Sequence, residues 1–224
     1  MNKENKDKEY VKEEIRREFQ LERMILFSDA VFAIVITLMA IEVHIPEVAR
    51  FNSDTDLQRE LIKLLPNIVA YTVSFFFIGF TWYQHLQVFS LLKDYDKGLV
   101  VRNLLMLFFI GFFPFSVSIV ARPNNGTYLA IFIYFIIILL AKGAQLALHY
   151  YILVKRPQLR INADTHDELM RYKRSRIAIT LLCITFMLTT GTMYLLKESD
   201  LQPASWSWFS LFPFLLKYFQ KRIK

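Results

Sequence analysis

Residues 23–46 read RMILFSDAVFAIVITLMAIEVHIP, an apolar stretch that carries polar side chains inside it. Ser28, Asp29 and Thr37 lie within the stretch, and Glu42 lies near its end. The stretch is long enough for a membrane-spanning helix, which needs about 20 mainly apolar residues. Ionisable groups inside a membrane are costly, so Asp29 is expected to face protein or water and to have a partner.

The composition of the whole chain agrees with a membrane setting. Hydrophobic residues make up 54% of the 224 positions and aromatic residues 16%, which is too apolar for an ordinary soluble domain. No alternation typical of barrel strands is visible, so helices are the expected way to satisfy the backbone in lipid. The sequence predicts an all-α integral membrane protein with six transmembrane helices, at about 24–45, 63–87, 100–121, 127–151, 176–196 and 203–219. The last stretch contains Pro213, so an interfacial helix is the alternative for it.

Lysine and arginine are distributed unevenly between the two sides of this arrangement. With a cytoplasmic N-terminus, the cytoplasmic segments hold 21 of the 27 basic residues, which predicts that both termini face the cytoplasm. The formal net charge of +7 is therefore mainly a topology signal, and no nucleic-acid partner is expected. We divide the chain into a charged cytoplasmic segment (1–22), a transmembrane domain (23–220) and a basic end (221–224).

Two features of the first span indicate its surroundings. As a helix, it places Ala30, Ile34, Thr37 and Ile41 on one narrow stripe, which we name the α1 stripe. The hydroxyl of Thr37 either faces outward with this stripe or only donates a hydrogen bond back to the carbonyl of Ala33, which is commoner among helical threonines.

Polar residues of three predicted spans fall at the depth of Asp29, near the cytoplasmic side. We name this set the inner polar cluster, and its members are Arg23, Ser28, Asp29, Trp82, His85, Arg102 and Asn103. The partner of Asp29 is expected among Arg23, Trp82, His85 and Arg102 with Asn103. The cluster either fixes or gates the first helix, or it is a structural clasp alone, and spacing does not separate these two interpretations.

The stretch resembles the first-helix signature of the transmembrane protein 175 family of potassium channels. The resemblance rests on Arg23 followed by FSDAVFAI at 27–34, on YTVSFFFIGFTWYQH at 71–85, and on NLLMLFFIGFFPF at 103–115. It covers the first half of the chain with specific motifs, whereas the last three spans match only in number and hydropathy.

The resemblance implies a fold and a function. It implies a single-repeat, bacterial-type member that forms a homotetramer in the cell membrane, with the first helix of each subunit lining a central pore. By this resemblance, Ile34 forms the hydrophobic constriction of the family, and Thr37 forms a layer of hydroxyl groups one turn away. Ile41 is expected to form the next pore-facing layer outward, which is inferred from helical periodicity more than from the motif. Potassium is then the permeant ion, and the expected partners are the chain itself and the lipid bilayer.

Elementary physics limits how such a channel selects ions. One helix cannot enclose a pore, so several copies must meet around an axis. No TVGYG-like carbonyl filter is present, and a ring of Ile34 offers no oxygen to replace hydration water. Modest preference for potassium over sodium is expected, with closure by dewetting. Glu42 at the outer mouth either concentrates cations or is simply an interfacial carboxylate.

Other classes of function have less support in the sequence. A secondary transporter would usually show a repeat, and no second FSD-like segment is present. No convergent catalytic set or metal-ligand spacing is visible, so we expect neither an enzyme nor a bound cofactor. A secondary transporter or a non-conducting membrane scaffold is the alternative. Lys142, inside the fourth predicted span, matches no motif of the family.

Overall fold

The protein forms a bundle of long α-helices. The structure, a computed structural model, describes residues 3–41, 43, 54–120, 128–161, 166–195 and 207–221. The helices in these ranges are α1 (Lys3–Ile41), α2 (Asp54–Phe89), α3 (Lys97–Gly111), α4 (Phe113–Val120), α5 (Tyr128–Tyr150), α6 (His166–Leu195) and α7 (Ser207–Lys221). One turn of π-helix (Tyr151–Lys155) and one turn of 3₁₀-helix (Pro157–Leu159) follow α5.

Four helical stretches of the described ranges are long and apolar enough to cross a membrane. They are Val11–Ile41, Lys97–Val120, Leu129–Lys155 and His166–Thr192. The chain is therefore a multi-pass, all-helical membrane protein. Neither α2 nor α7 is in this set, and α7, at 15 residues, spans only about 22 Å against about 30 Å of hydrocarbon. The predicted number of six spans stays a prediction.

The first helix is much longer than the membrane-spanning segment predicted inside it. Its 39 residues extend about 58 Å, so its charged N-terminal part must project beyond a hydrocarbon core of about 30 Å. The helix runs through residues 22 and 23 without a break. The proposed division at this point is therefore one of composition and not of backbone structure.

The third predicted span is broken into α3 and α4 at Phe112. The break lies two residues before Pro114, whose ring has no N–H to donate and would clash with the carbonyl four residues earlier in a continuous helix. The N–H of Phe112 instead bonds to the carbonyl of Phe109 at 3.2 Å. At the other end, the Asp96 side chain caps α3 by accepting a 2.7 Å hydrogen bond from the N–H of Leu99.

The apolar core lies between α1, α2, α3, α4 and α5. From α1 it takes Phe32, Val35 and Met39, which recur at helical spacing and are fully buried or nearly so. The ring of Phe113 stacks on Phe77 with 5.2 Å between the centroids. These contacts orient α1 so that one face is fixed against its own subunit.

The last two helices pack at the side of this core. Phe186 of α6 contacts the rings of Phe132 and Phe135 of α5, with centroid distances of 5.4 and 5.3 Å. Helix α7 packs on α6. These helices border a crevice that also contacts α2 and α5.

Candidate functional site

The α1 stripe lies on the face of α1 that the rest of the chain leaves uncovered. Ile34 is 56% exposed and Ile41 is 70% exposed, whereas Val35 is 4% exposed and Met39 is fully buried on the opposite face. Ala30 and Thr37 are also exposed. All four stripe residues are thus available to another subunit, to lipid or to an aqueous path.

The hydroxyl of Thr37 is bonded back to its own helix. Its Oγ1 lies 3.1 Å from the carbonyl oxygen of Ala33 and 2.9 Å from that of Ile34, both of which accept its proton. This is the geometry of the ordinary helical threonine. The oxygen of Thr37 retains its lone pairs, because the hydroxyl is the donor in both contacts.

Three members of the inner polar cluster form a continuous chain of hydrogen bonds across three helices. Asn103 Nδ2 donates to Ser28 Oγ at 2.8 Å, and Asn103 Oδ1 is 3.0 Å from His85 Nε2. Because this oxygen can only accept, His85 carries the proton on Nε2. Ser28 Oγ then donates to the carbonyl of Met24 at 2.9 Å. The chain connects α2, α3 and α1 inside the core, and all three side chains are buried.

Aromatic rings hold the imidazole of His85 in place. It stacks on Phe89 with 3.8 Å between the ring centroids, and it contacts Phe32 of α1 at 5.8 Å. The ring is thus fixed on its faces by apolar groups and at its edge by Asn103. Such a satisfied polar contact specifies how α2 and α3 pack.

Asp29 has a different partner within the cluster. Its Oδ1 accepts a 2.8 Å hydrogen bond from the indole N–H of Trp82 on α2. Both residues are partly exposed, so the pair lies at the edge of the subunit beside the buried chain. Of the partners considered for Asp29, Trp82 is the one that the structure shows in contact.

The two arginines of the predicted cluster contact other groups. The guanidinium of Arg23 lies 5.9 Å from the ring centroid of Phe19, one turn earlier on α1. Arg102 donates to the carbonyl of Gly98 at 2.9 Å and lies 4.0 Å from the ring centroid of Tyr151. Shared depth along the membrane normal predicted their grouping with Asp29, but depth does not fix the direction in which a side chain leaves its helix.

Arg102 belongs to a second network at the start of α3. The hydroxyl of Tyr151 donates to Asp96 Oδ2 at 2.6 Å, and Arg156 Nε lies 3.6 Å from the same oxygen. Burial raises the pKa of Asp96, but the hydrogen bonds from Tyr151 and Leu99 and the charge of Arg156 outweigh it and hold this pKa below its usual value. The ionised carboxylate therefore stabilises the fold above the usual carboxyl pKa, and this contribution is lost as the pH falls through the lowered one.

The same end of the bundle is closed by main-chain hydrogen bonds. The N–H of Lys93 donates to the carbonyl of Leu159 at 2.9 Å, and the N–H of Ile161 donates to that of Leu91 at 2.8 Å. Arg17 of the projecting part of α1 also reaches Asp94, with 3.3 Å between Nη1 and Oδ2. The connection after α2 is thus joined to both α1 and the end of α5.

Sequence reasoning did not find the contacts of Lys142. Its ammonium lies 3.1 Å from Gln84 Oε1 and 2.9 Å from Gln145 Oε1, and Gln145 donates to the carbonyl of Thr81 at 2.9 Å. The charge inside an apolar span was a visible signal, but its partners depend on how α2 and α5 face each other. Glu42 lies outside the described residues. Within the described part of the chain, no group of His, Cys, Asp or Glu side chains could hold a metal ion.

Comparisons with known proteins match the same region. The family model described as "Endosomal/lysosomal potassium channel TMEM175" matches residues 23–114, which contain the α1 stripe and the inner polar cluster. A protein named as a potassium channel from Streptomyces collinus is 29% identical over 175 residues, which cover 77% of this chain and 82% of that protein. An endosomal/lysosomal proton channel TMEM175 from Danio rerio is 29% identical over 106 residues, 46% of this chain and 20% of that protein.

A solved structure has the same fold. It is the crystal structure of a lysosomal potassium-selective channel TMEM175 homolog from Chamaesiphon minutus, with a TM-score of 0.64 and 25% identity. The match covers 92% of this chain and 98% of that chain, so it includes the helices beyond the region of the family model. The chain thus matches the TMEM175 family in sequence over residues 23–114, and a TMEM175 homolog in fold over most of its length.

Proposed function

We propose that the chain is one subunit of a cation channel that prefers potassium over sodium. The observation that carries the proposal is the uncovered α1 stripe, where Ile34 and Ile41 are exposed although the opposite face of the same helix is buried. The names of the Streptomyces relative and of the Chamaesiphon structure, both potassium channels, support the choice of ion. The matched family is a channel family, which is consistent with the absence of an enzymatic role.

The pore requires more than one copy of the chain. A single helix cannot enclose an ion path, and closed rotational symmetry is the usual way in which identical subunits surround an axis. We propose a homotetramer in which four copies of α1 meet, with the α1 stripe toward the axis. We propose a single-repeat subunit, because the given sequence contains one FSD signature, at residues 27–29.

Ile34 is proposed as the constriction of this pore. A ring of Ile34 side chains around the axis offers no oxygen ligands. An ion must therefore pass the constriction with reduced hydration, or pass only while water fills it. Potassium loses hydration water more readily than sodium, which gives a modest preference for potassium without a carbonyl filter. Thr37, one turn away, presents the lone pairs of its oxygen to the path while its proton stays bonded to the helix.

The inner polar cluster is proposed to set the angle of α1. Ser28 is joined to Asn103 and Asp29 to Trp82, so two adjacent residues of α1 are held by two different helices. A change in either contact would tilt or rotate the stripe relative to the axis. Glu42 at the outer mouth is proposed to raise the local concentration of cations.

The orientation proposed for the subunit places both termini in the cytoplasm, with six spans in the plasma membrane of a bacterium. The distribution of lysine and arginine supports it. The projecting part of α1 and the network around Asp96 then lie on the cytoplasmic side.

Protons are a second candidate for the permeant ion, because the Danio rerio relative is named a proton channel. A narrow apolar constriction that wets only transiently does not by itself exclude proton passage along water. Protons and potassium can be separated in the same assay, as described next.

The test is a flux assay with the purified chain in liposomes. When vesicles loaded with potassium are diluted into a sodium medium with a protonophore, potassium should leave and protons should enter to balance the charge, so a weak-base dye should accumulate in the acidified interior, rapidly and without saturation. Saturable and slow exchange would indicate a transporter, and no flux from an assembled protein would indicate a scaffold. Proton flux is measured separately, with a pH-sensitive dye inside the vesicles and without a potassium gradient.

A further inference from the structure

A crevice lined by both polar and apolar side chains lies between α2, α5 and α6, away from the α1 stripe. It consists of two adjoining cavities of about 470 and 140 Å³, both lined by Phe80, Gln84, His149, Ser175 and Ala178. The wider cavity extends to the N-terminal part of α6, and the narrower one reaches Lys142. A crevice with charged and polar walls at the side of a membrane bundle suggests a binding function.

Lys142 gives the narrow end of the crevice an uncompensated positive charge. Its two hydrogen-bond acceptors, Gln84 and Gln145, are neutral amides, and its nearest aromatic neighbours are the rings of Phe77 and Phe80, at 5.0 and 5.6 Å. Charges inside proteins and membranes are normally paired with an opposite charge. Within the described part of the chain, no carboxylate lies within 4 Å of this ammonium.

His149 supplies a second unused group. Its side chain is buried, with 6% exposed, and Nε2 has no hydrogen-bond partner among the described residues. A buried polar atom without a partner is costly, so such atoms usually meet a ligand or ordered water. His149 lines both cavities, so the unpartnered nitrogen belongs to a side chain in the shared wall of the crevice.

The wide end of the crevice also carries an excess of positive charge. Arg171 Nη1 lies 3.1 Å from Glu168 Oε1, so the charges of this pair compensate each other. Arg174 adds a further positive charge to the wide end. Guanidinium and ammonium groups together are the usual protein partners of phosphate oxygens. Apart from its polar groups, the narrow end is lined by the apolar side chains of Phe77, Ile179 and Leu182.

We propose that this crevice binds a phosphate group, carried by an anionic phospholipid or present as free phosphate. Arg174 meets the group at the wide end, His149 donates from the wall, and Lys142 supplies the attracting charge from within. The proposal does not depend on ion conduction, and binding can be measured on a protein that carries no current.

The test is native mass spectrometry of the delipidated full-length protein in a non-ionic detergent. The probes are phosphatidylglycerol, phosphatidylcholine and inorganic phosphate. We expect phosphatidylglycerol to bind at least about fivefold more tightly than phosphatidylcholine, because choline neutralises the charge of the latter. Competition by millimolar phosphate would also support the proposal and would identify the phosphate group itself as the recognised chemistry.

Substitutions locate the site. Arg174→Gln, at an exposed position that does not threaten folding, should weaken phosphatidylglycerol binding several-fold, and Lys142→Met should weaken it further. The matched control is Arg176→Gln, the same change two residues away on α6, whose side chain faces Tyr172 and does not line the crevice. Equal binding of the two lipids, no binding of any probe, or an equal loss in Arg174→Gln and Arg176→Gln would overturn the proposal.

Discussion

Asn103 donates a 2.8 Å hydrogen bond to Ser28, and this contact joins α3 to the helix that carries the α1 stripe. Ser28 and the exposed Ala30 are two residues apart, so the bond fixes the opposite side of α1 from the stripe. A helix held this firmly on one side can present a constant surface on the other. The contacts of α1 with the rest of the chain would therefore set the position of the α1 stripe in the proposed pore.

The Ser28–Asn103 bond should contribute measurably to stability. Ser28→Ala leaves the buried amide of Asn103 without its acceptor, which should cost about 1–2 kcal/mol. The control is Ser116→Ala, an equally buried serine whose hydroxyl bonds only to the carbonyl of Phe113 in its own helix. Thermal unfolding in detergent should show a clearly larger decrease in Tm for Ser28→Ala. Equal decreases would mean that the bond between helices adds nothing beyond packing.

The Asp29–Trp82 bond should affect gating. Trp82→Phe removes the indole N–H and Asp29→Asn removes the charge that accepts from it, so both should shift the open probability in the same direction. Tyr83→Phe, which deletes only a hydroxyl from the neighbouring exposed ring, is the control. Single-channel recording of assembled variants makes the measurement. Unchanged gating in both, with reduced assembly, would make the pair a structural clasp.

The approach of α3 to Tyr151 should tolerate no side chain at Gly98. A Cβ atom there would overlap with the hydroxyl and ring of Tyr151, whereas one at Gly111, also in α3, would meet open space. Gly98→Ala should therefore displace Tyr151 from Asp96 and destabilise the protein by about 1–3 kcal/mol. Gly111→Ala should be neutral or slightly stabilising. Similar Tm values for the two variants would contradict the close packing.

Thr37 tests whether a back-bonded hydroxyl still contributes to permeation. Thr37→Val keeps the shape of the side chain but removes the oxygen, so a stripe that faces the ion path should carry less current or show altered selectivity. Assembly should not change, because both acceptors of the hydroxyl lie in its own helix. The control is Thr192→Val, a half-buried α6 threonine with the same back-bonded geometry. Wild-type permeation in a fully assembled Thr37→Val tetramer would remove Thr37 from the path.

The sequence predicts the class of fold and the shared face of α1 because both depend on local pattern. Helical spacing places Ala30, Ile34, Thr37 and Ile41 together, and the structure shows these residues exposed. The role of this face remains a prediction. The break before Pro114 could also have been expected from the missing N–H of proline.

The contacts between helices were less predictable. Depth alone grouped Arg23 and Arg102 with Asp29, but both point elsewhere because rotation about the helix axis is decided by packing. The glutamine partners of Lys142 depend in the same way on the facing surfaces of α2 and α5. A polar residue in an apolar span thus indicates that a partner exists, while only the three-dimensional structure identifies it.

The reversal potential under bi-ionic potassium and sodium tests the proposed pore most directly. In planar bilayers, the wild-type protein should conduct and show a modest preference for potassium. Ile34→Asn should increase conductance and reduce this preference, because an amide wets the constriction. Ile184→Asn, the same change at a similarly exposed position on α6, should leave both unchanged. Wild-type conductance and reversal potential in Ile34→Asn would contradict a pore lined by α1.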